Sequence, residues 1–253
     1  MMIAQIDRSK AVISPRVPTF AEDVFLRIRA DILSAKLIPD EKMQLERLKD
    51  AYGVGATPLR EALSRLTSLN LVVGEGQRGF RVAPVSIADL LDITKTRAWV
   101  ESVALRASIA AGDRNWEAQI LAAAHRLEGY SPKGEELLGD DWYRENRLFH
   151  DALVSACNSA HIMAYRSHLY DLSDRYRRLS VQQGFAGRNF DAEHRQILNA
   201  VLARDGDAAI AHTEDHFIET VMVILKNELQ SPDEVTRTID RLRRDIRAGF
   251  PRV

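Results

Sequence analysis

The chain has 253 residues, 45% of them apolar and 28% charged, which is enough for one large domain or two smaller ones with a real core. Its single cysteine, Cys157, excludes an intrachain disulfide, and no apolar run approaches the length of a membrane span. The first residues lack the continuous apolar stretch of a secretory signal, so we expect a cytoplasmic protein without a membrane partner.

The net charge of −1 conceals an uneven distribution of charged residues. Residues 1–85 hold 13 Lys and Arg against 10 Asp and Glu, a net charge of +3, whereas the rest of the chain carries a net charge of −4. The asymmetry is mild. It agrees with a basic binding module joined to an acidic partner domain.

The N-terminal part of the chain begins with a tail and two short helices. Residues 1–18 form a polar sequence that predicts a flexible tail. Thr19 and Glu22 then have the spacing of a capping box, and an apolar stripe follows them, which predicts the first helix. A second short helix is predicted to end at Gly53, because glycine is the common residue just past a helix C-terminus.

A third helix is predicted to begin at Thr57 or Pro58, since proline suits the first turn of a helix. Its apolar residues recur at helical spacing on one face, namely Leu59, Ala62, Leu63 and Leu66. Arg60 lies on the opposite face, among small hydroxyl side chains. That face is narrow enough to enter a groove.

Two β-branched runs around the glycines at 74, 76 and 79 follow this helix and predict a hairpin. The order of helix, helix, turn, helix and hairpin is that of a winged helix-turn-helix domain, predicted here over residues 19–85. A generic small helical domain capped by a hairpin shows the same pattern, so the pattern favours DNA binding without excluding the alternative.

From residue 86 onward the chain shows helical periodicity and no convincing strand. Seven helices are predicted, at 86–111, 115–129, 138–156, 159–183, 190–204, 207–229 and 232–248. We therefore expect a mainly α protein, in which residues 86–230 form an all-α helical bundle and residues 231–253 supply an extra C-terminal helix.

Polar residues occupy faces of these helices that otherwise point inward. They are Arg97, Glu101, Asn146, His150, His194, His212 and His216. Burying such groups unpaired costs about 1–3 kcal/mol each, so a shared internal polar site is one interpretation. Imidazoles with an oxygen donor suit Zn²⁺ or a similar borderline metal. Two alternatives stay open: hydrogen-bonded core histidines, and a simple helix ion pair between Arg97 and Glu101.

The segment from "VFLRIRADIL" to "RGFRV", with its "PLREAL" block, resembles the DNA-binding domain of GntR-type bacterial transcription regulators. The blocks "RAWVESVALRAS", "NRLFHDALVSACN" and "EHRQILNAVLARDGDAAIAHTEDHF" resemble the all-helical FCD effector domain of the FadR subfamily. Within that subfamily, "PDEK", "YGVG" and "PLREAL" are most similar to the CsiR-like branch, which is associated with the catabolism of small acids.

The resemblance implies DNA contacts in the N-terminal domain. Thr57 and Arg60 match positions of the recognition helix, and Arg78 with Gly79 matches the tip of the wing. Many members have Ser-Arg where this chain has Gly-Ala at positions 55 and 56. That arginine usually helps to hold DNA, so its absence alters the expected operator and affinity.

The resemblance also implies a metal site in the effector domain. His150, His194 and His216 match the three metal-binding histidines of the family, and Asn146 stands where an aspartate is common. A divalent transition metal, Zn or Ni, is the expected cofactor, and the neutral amide predicts a weaker site or none.

The implied effector site adjoins that metal. Arg97 falls in the same cavity, where it can pair bidentately with the carboxylate of a small organic acid. His212, one turn before His216, is placed to hydrogen-bond the far end of such a ligand.

These expectations together describe a homodimeric, ligand-responsive repressor that binds a double-stranded DNA operator and is released by a small carboxylic acid. The alternative is a metal-dependent hydrolase built on a helical bundle. Against the hydrolase, the chain lacks H-E-x-x-H, and no carboxylate base is expected beside the histidines, since Glu193 is predicted to point from a different helix face.

Overall fold

A computed structural model describes residues 19–76, 79–131, 138–180 and 188–249. The helices are α1 (Phe20–Leu33), α2 (Leu45–Tyr52), α3 (Ala56–Ser68), α4 (Ile87–Ala111), α5 (Arg114–Glu128), α6 (Asp140–Leu153), α7 (Ala160–Ser180), α8 (Phe190–Leu202), α9 (Gly206–Glu228) and α10 (Pro232–Ala248). The strands are β1 (Lys42–Met43), β2 (Val72–Gly74) and β3 (Phe80–Val82). Among the helices of these ranges, none combines the length and the apolar character that crossing a membrane requires. The predicted mainly α fold is confirmed.

The chain divides into two compact units. Among the described residues, one unit contains those up to Ile32 together with those of Asp40–Ala83, and the other contains Leu33–Pro39 together with those from Pro84 onward. The sequence placed the domain boundary after residue 85, two residues beyond this division.

The first unit combines α1, α2 and α3 with a small antiparallel sheet of strand order β1-β3-β2. The side-chain oxygen of Thr19 accepts the backbone N–H of Glu22 at 3.2 Å, as the capping box predicted. Gly53 ends α2 in the left-handed conformation, with φ of +66°, which a residue without Cβ adopts at little cost. The apolar faces of α1 and α3 are buried, with Ile28 and Leu63 both fully inaccessible to solvent.

Two local details differ from the sequence prediction. Helix α3 begins at Ala56, so Pro58 lies inside its first turn, where a residue without an N–H loses no intrahelical bond. The stretch "LIPDEKM" between the first two helices, where no strand was predicted, contains the two-residue strand β1, whose Lys42 lies opposite Arg81 of β3. A strand of two residues is too short to show the alternating pattern from which strands are predicted. It forms because it pairs with β3.

The second unit consists of α4 to α10, and all seven predicted helices are present with bounds that differ by at most three residues. Most of them begin with a side-chain cap. The capping residues that accept a backbone N–H include Ser86, Asp113, Asn189, Asp205 and Ser231. Helix α4, 25 residues long, packs against α7, α9 and α10, and α8 packs against α9.

Two apolar clusters stabilise this helical unit. The larger one joins α5, α6 and α8 and includes the fully buried Phe149 and Ile197. The other joins α4, α9 and α10 and includes Leu90 and Leu225. A band of buried polar residues, among them Arg97 and Asn146, lies in the same unit and contains the candidate site.

Candidate functional site

Helix α3 presents one buried face and one exposed face. Its apolar stripe is completely buried, whereas Thr57 and Arg60 are exposed. Arg65 lies 2.6 Å from Glu22 of α1, and its guanidinium stacks over Phe25 at 4.0 Å. The helix is thus held firmly from the inner side while Arg60 stays available to a ligand.

The hairpin of β2 and β3 closes through two glycines with positive φ. Gly76 has φ of +61° and Gly79 has φ of +100°, and Gly79 O accepts the N–H of Glu75 at 2.8 Å. These backbone conformations favour glycine at the tip of a tight turn. Arg78, the other residue predicted at this tip, lies outside the described residues.

Three histidines from three helices meet in the second unit. His150 of α6, His194 of α8 and His216 of α9 are buried, and each offers a ligand atom within 4.8 Å of the others. Their ring centroids are 4.8 to 5.5 Å apart. The sequence prediction that these residues share one site is therefore supported by their positions.

These histidines are neutral in their buried surroundings. Burial lowers the pKa of His194 to about 3, and it holds the pKa values of His150 and His216 well below the usual range of histidine. Within the described part of the chain, neither ring nitrogen of His150 or His194 has a hydrogen-bond partner. Buried unsatisfied groups are costly, and neutral imidazoles are the form that binds a metal.

Asn146 completes the donor set. Its side chain is fully buried, its Nδ2 donates to the hydroxyl of Tyr170 at 2.8 Å, and no residue of the described ranges pairs with its Oδ1. The bond to Tyr170 fixes the orientation of the amide, which leaves the carbonyl oxygen as the free atom. Three imidazoles and one carbonyl oxygen suit a borderline divalent cation, so the residues present fit the metal that the resemblance implies.

The expectation that no carboxylate lies beside the histidines was wrong. Glu193 Oε2 is 2.7 Å from Nδ1 of His216. On α8 alone, Glu193 is turned about 100° from His194, which is why it was expected to point away from the histidines. Because α9 packs against α8, a residue on that flank of α8 still faces His216.

Arg97 of α4 lies beside this group. It is 4% exposed, and its guanidinium stacks over Phe217 at 3.8 Å and Tyr170 at 4.8 Å. Nη1 donates to Ser173 Oγ at 2.9 Å, whereas Nε and Nη2 have no hydrogen-bond partner in the described ranges. Burial lowers the pKa of Arg97 to about 10, so the side chain is still charged at neutral pH.

The alternative interpretation of Arg97, a helix ion pair with Glu101, does not hold. Glu101 Oε2 lies 2.8 Å from Nε of the buried Arg166 on α7, which also pairs with Asp151. Neither Arg166 nor Arg177, which are both buried, was among the inward polar residues predicted from the sequence. The sequence does contain a sign of their burial. The spacing of three or four residues between Arg166, Tyr170, Ser173 and Arg177 places them on one face of α7.

His212, predicted to contact the effector, lies one turn before His216 and is half-buried. It is outside the group of three histidines. Its role stays a prediction.

Comparison with known proteins places both units in one family. The family described as "Bacterial regulatory proteins, gntR family" matches residues 20–82, and the FCD domain matches residues 92–219. The chain belongs to the GntR family. Its winged unit and its helical FCD unit each correspond to one of the two matches.

Individual relatives agree with this assignment. The uncharacterized HTH-type transcriptional regulator BphR of Paraburkholderia xenovorans is 37% identical over 86% of this chain and 92% of its own. The HTH-type transcriptional repressor GlaR of Escherichia coli is 34% identical over 80% of this chain and 94% of its own. The solved structure of E. coli McbR/YncC, 18% identical, has the same fold with a TM-score of 0.69 over 84% of this chain and all of that one.

This GntR-family protein is therefore a transcriptional regulator and not an enzyme. The hydrolase alternative is not favoured, although the carboxylate beside the histidines removed one of the arguments against it. In a regulator, the position of the Glu193 carboxylate beside His216 needs an explanation other than catalysis.

Proposed function

We propose that the protein is a dimeric repressor that binds an operator through its winged unit and leaves it when a small carboxylic acid binds the helical unit. It acts in the cytoplasm, where its DNA target lies. Two winged units in a dimer read a short inverted repeat, because the symmetry of the site matches that of the protein. The relative GlaR, described as a repressor, supports the direction of control.

The unpaired edge of Arg97 is the observation that carries the effector. Nε and Nη2 lie on the same edge of the guanidinium plane, and both lack partners among the described residues, whereas Nη1 is occupied by Ser173. A carboxylate binds that edge with two parallel hydrogen bonds. The pairing also relieves the cost of burying the Arg97 charge.

The same aromatic side chains contact Arg97 and border the histidines. Tyr170 lies under the Arg97 guanidinium and accepts from Asn146, and Phe217 packs against both Arg97 and His150. Arg97 therefore adjoins the candidate metal site. An acid with a second oxygen donor can reach both groups.

A divalent transition metal, Zn or Ni, would be held by His150, His194 and His216 with Asn146 as the oxygen donor. When bound, such an ion would act as a Lewis acid toward an anionic oxygen of the effector. The surrounding residues orient the acid and exclude water from it.

The proposed regulation requires that the acid bind the DNA-free state more tightly than the DNA-bound state, since a ligand shifts an equilibrium only by its differential affinity. A thermal-shift screen of small dicarboxylic and hydroxy acids with the zinc-loaded protein identifies a binder. Gel shifts on an operator selected from random duplexes then measure release. We expect a hit to raise Tm and weaken operator binding, and Arg97→Ala to abolish both effects while retaining DNA binding.

Arg106→Ala is the matched control, because Arg106 lies on the same helix in an exposed pair with Asp207. It should respond to the acid like the wild type. A hit that stabilises Arg97→Ala as strongly as the wild type would place the carboxylate elsewhere. Binding of a sugar or an amine, with no acid binding at all, would overturn the proposed effector class.

A further inference from the structure

The carboxylate of Glu193 makes a short contact with one of the three histidines. Glu193 lies in the first turn of α8, directly before His194, yet its Oε2 is 2.7 Å from Nδ1 of His216 on α9. The Glu193 side chain is 20% exposed and the His216 side chain is 5% exposed. The carboxylate thus reaches the buried site from its edge.

Arg188 holds this carboxylate in place. Its Nε donates to Oε1 of Glu193 at 2.8 Å and its Nη2 donates to Oε2 at 2.7 Å, so the pair is bidentate. Arg188 also donates to the backbone oxygen of His216 and to Thr220 Oγ1, both at 2.8 Å. One arginine therefore joins Glu193 to the helix turn that carries His216, which leaves the carboxylate little freedom to rotate.

The hydrogen bond determines which nitrogen of His216 carries the proton. Arg188 Nη2 also lies 3.3 Å from Nδ1, but the carboxylate of Glu193 is closer, at 2.7 Å. An ionised carboxylate accepts hydrogen bonds and does not donate them, so Nδ1 carries the hydrogen and donates it to Glu193. In the neutral ring, Nε2 then has the lone pair that a metal requires. Neither His150 nor His194 donates such a hydrogen bond to any described residue, so His216 is the ligand whose tautomer is fixed in advance.

We propose that Glu193 is a positioning residue for the metal site, which fixes the tautomer and the ring orientation of His216. The inference rests on the metal site of the proposed function. A carboxylate bonded to a ligating histidine makes the imidazole more basic and orients the ring, and its loss typically lowers metal affinity about 10–100-fold.

The test is the affinity of purified, untagged protein for Zn²⁺, measured by competition with a chromophoric chelator. Glu193→Gln keeps the shape of the side chain and removes its charge, and we expect Zn²⁺ affinity to fall about 10–100-fold. Asp191→Asn is the matched control, because Asp191 lies in the same first turn of α8 and bonds Ser131 instead of a histidine. It should bind Zn²⁺ like the wild type.

Cobalt substitution separates positioning from a structural role. The visible absorption of Co²⁺ reports the field of its ligands, so Glu193→Gln should shift this spectrum, whereas Asp191→Asn should leave it unchanged. A Glu193→Gln variant with wild-type Zn²⁺ affinity and an unchanged cobalt spectrum would refute the role of Glu193 while leaving the metal site intact. A wild-type protein that binds neither ion would overturn the metal site itself, and the role of Glu193 with it.

Discussion

Asn146 shows how one side chain alters the chemistry of a site without changing its geometry. Its amide is oriented by the bond to Tyr170, which directs the nitrogen away and leaves Oδ1 free in the buried interior. An amide oxygen coordinates a cation but brings no charge, whereas a carboxylate adds Coulomb attraction in a medium of low dielectric. The affinity of the site for a metal ion should therefore depend more on the charge of side chain 146 than on its shape.

The Asn146→Asp variant tests this dependence. The two side chains have nearly the same size, and the Tyr170 hydroxyl is able to reverse its hydrogen bond and donate. We expect Zn²⁺ to bind at least about tenfold more tightly, which corresponds to about 1.4 kcal/mol. Asn199→Asp, at an exposed position on α8, adds the same charge on the solvent side of the helix and should leave Zn²⁺ affinity unchanged. Equal affinity in Asn146→Asp and wild type would mean that residue 146 does not contact the ion.

Arg60 is the residue on which DNA reading is predicted to depend most. It is exposed on α3, whereas Arg65 on the same helix is occupied by Glu22. Arg60→Ala should weaken binding to the selected operator by about 1–3 kcal/mol if the guanidinium contacts a base edge. If Arg60 contacts only phosphate, its loss should instead weaken binding to all DNA sequences equally and reduce the salt dependence of binding.

Gel-shift titration on operator and scrambled duplexes at several salt concentrations distinguishes these contacts. Arg114→Ala, which removes an exposed arginine from the helical unit, controls for the loss of one positive charge. Wild-type operator affinity in the Arg60→Ala protein would exclude Arg60 from the reading face.

At the scale of elements, helix α10 completes the core of the helical unit. Its apolar stripe is buried against α4 and α9 and consists of Val235, Ile239, Leu242 and Ile246. The backbone oxygen of Ile246 also accepts the indole N–H of Trp99 at 2.9 Å. The helix that the sequence analysis treated as an addition is thus part of the same packed body as α4, which carries Arg97.

Ile239→Ala should accordingly destabilise the helical unit. The residue is 3% exposed, and truncating a buried isoleucine typically costs about 2–5 kcal/mol through lost burial and the cavity that remains. Urea unfolding followed by circular dichroism measures the loss, with exposed Arg241→Ala as the control on the same helix. A loss below about 0.5 kcal/mol, the usual range of surface substitutions, would show that α10 is only loosely attached.

The sequence predicted the helices well because each of them repeats its apolar residues over several turns. It also brought Asn146, His150, His194 and His216 together, since family motifs mark these positions. It missed what depends on packing between elements. The two-residue strand β1 exists only through β3, and the contact from Glu193 to His216 requires knowing that α8 lies against α9. Periodicity along one helix contains neither fact.

At the scale of the whole molecule, the two proposed functions belong to two compact units. The predicted operator contacts belong to the first unit, and the candidate metal and effector site belongs to the second. If an acid bound in one unit weakens DNA binding by the other, the two events share a coupling free energy. Thermodynamic linkage then requires the effect to be reciprocal.

Reciprocity gives the sharpest test of regulation by the acid. An acid that lowers operator affinity tenfold must itself bind tenfold more weakly to the operator complex, a difference of about 1.4 kcal/mol. Isothermal titration of the acid into free protein, into its operator complex and into protein with a scrambled duplex measures this directly. The scrambled duplex should have little effect, because it leaves most of the protein free. An acid that releases DNA yet binds free and operator-bound protein equally well acts by another route, such as removing the metal. In that case, added Zn²⁺ should restore DNA binding in the presence of the acid.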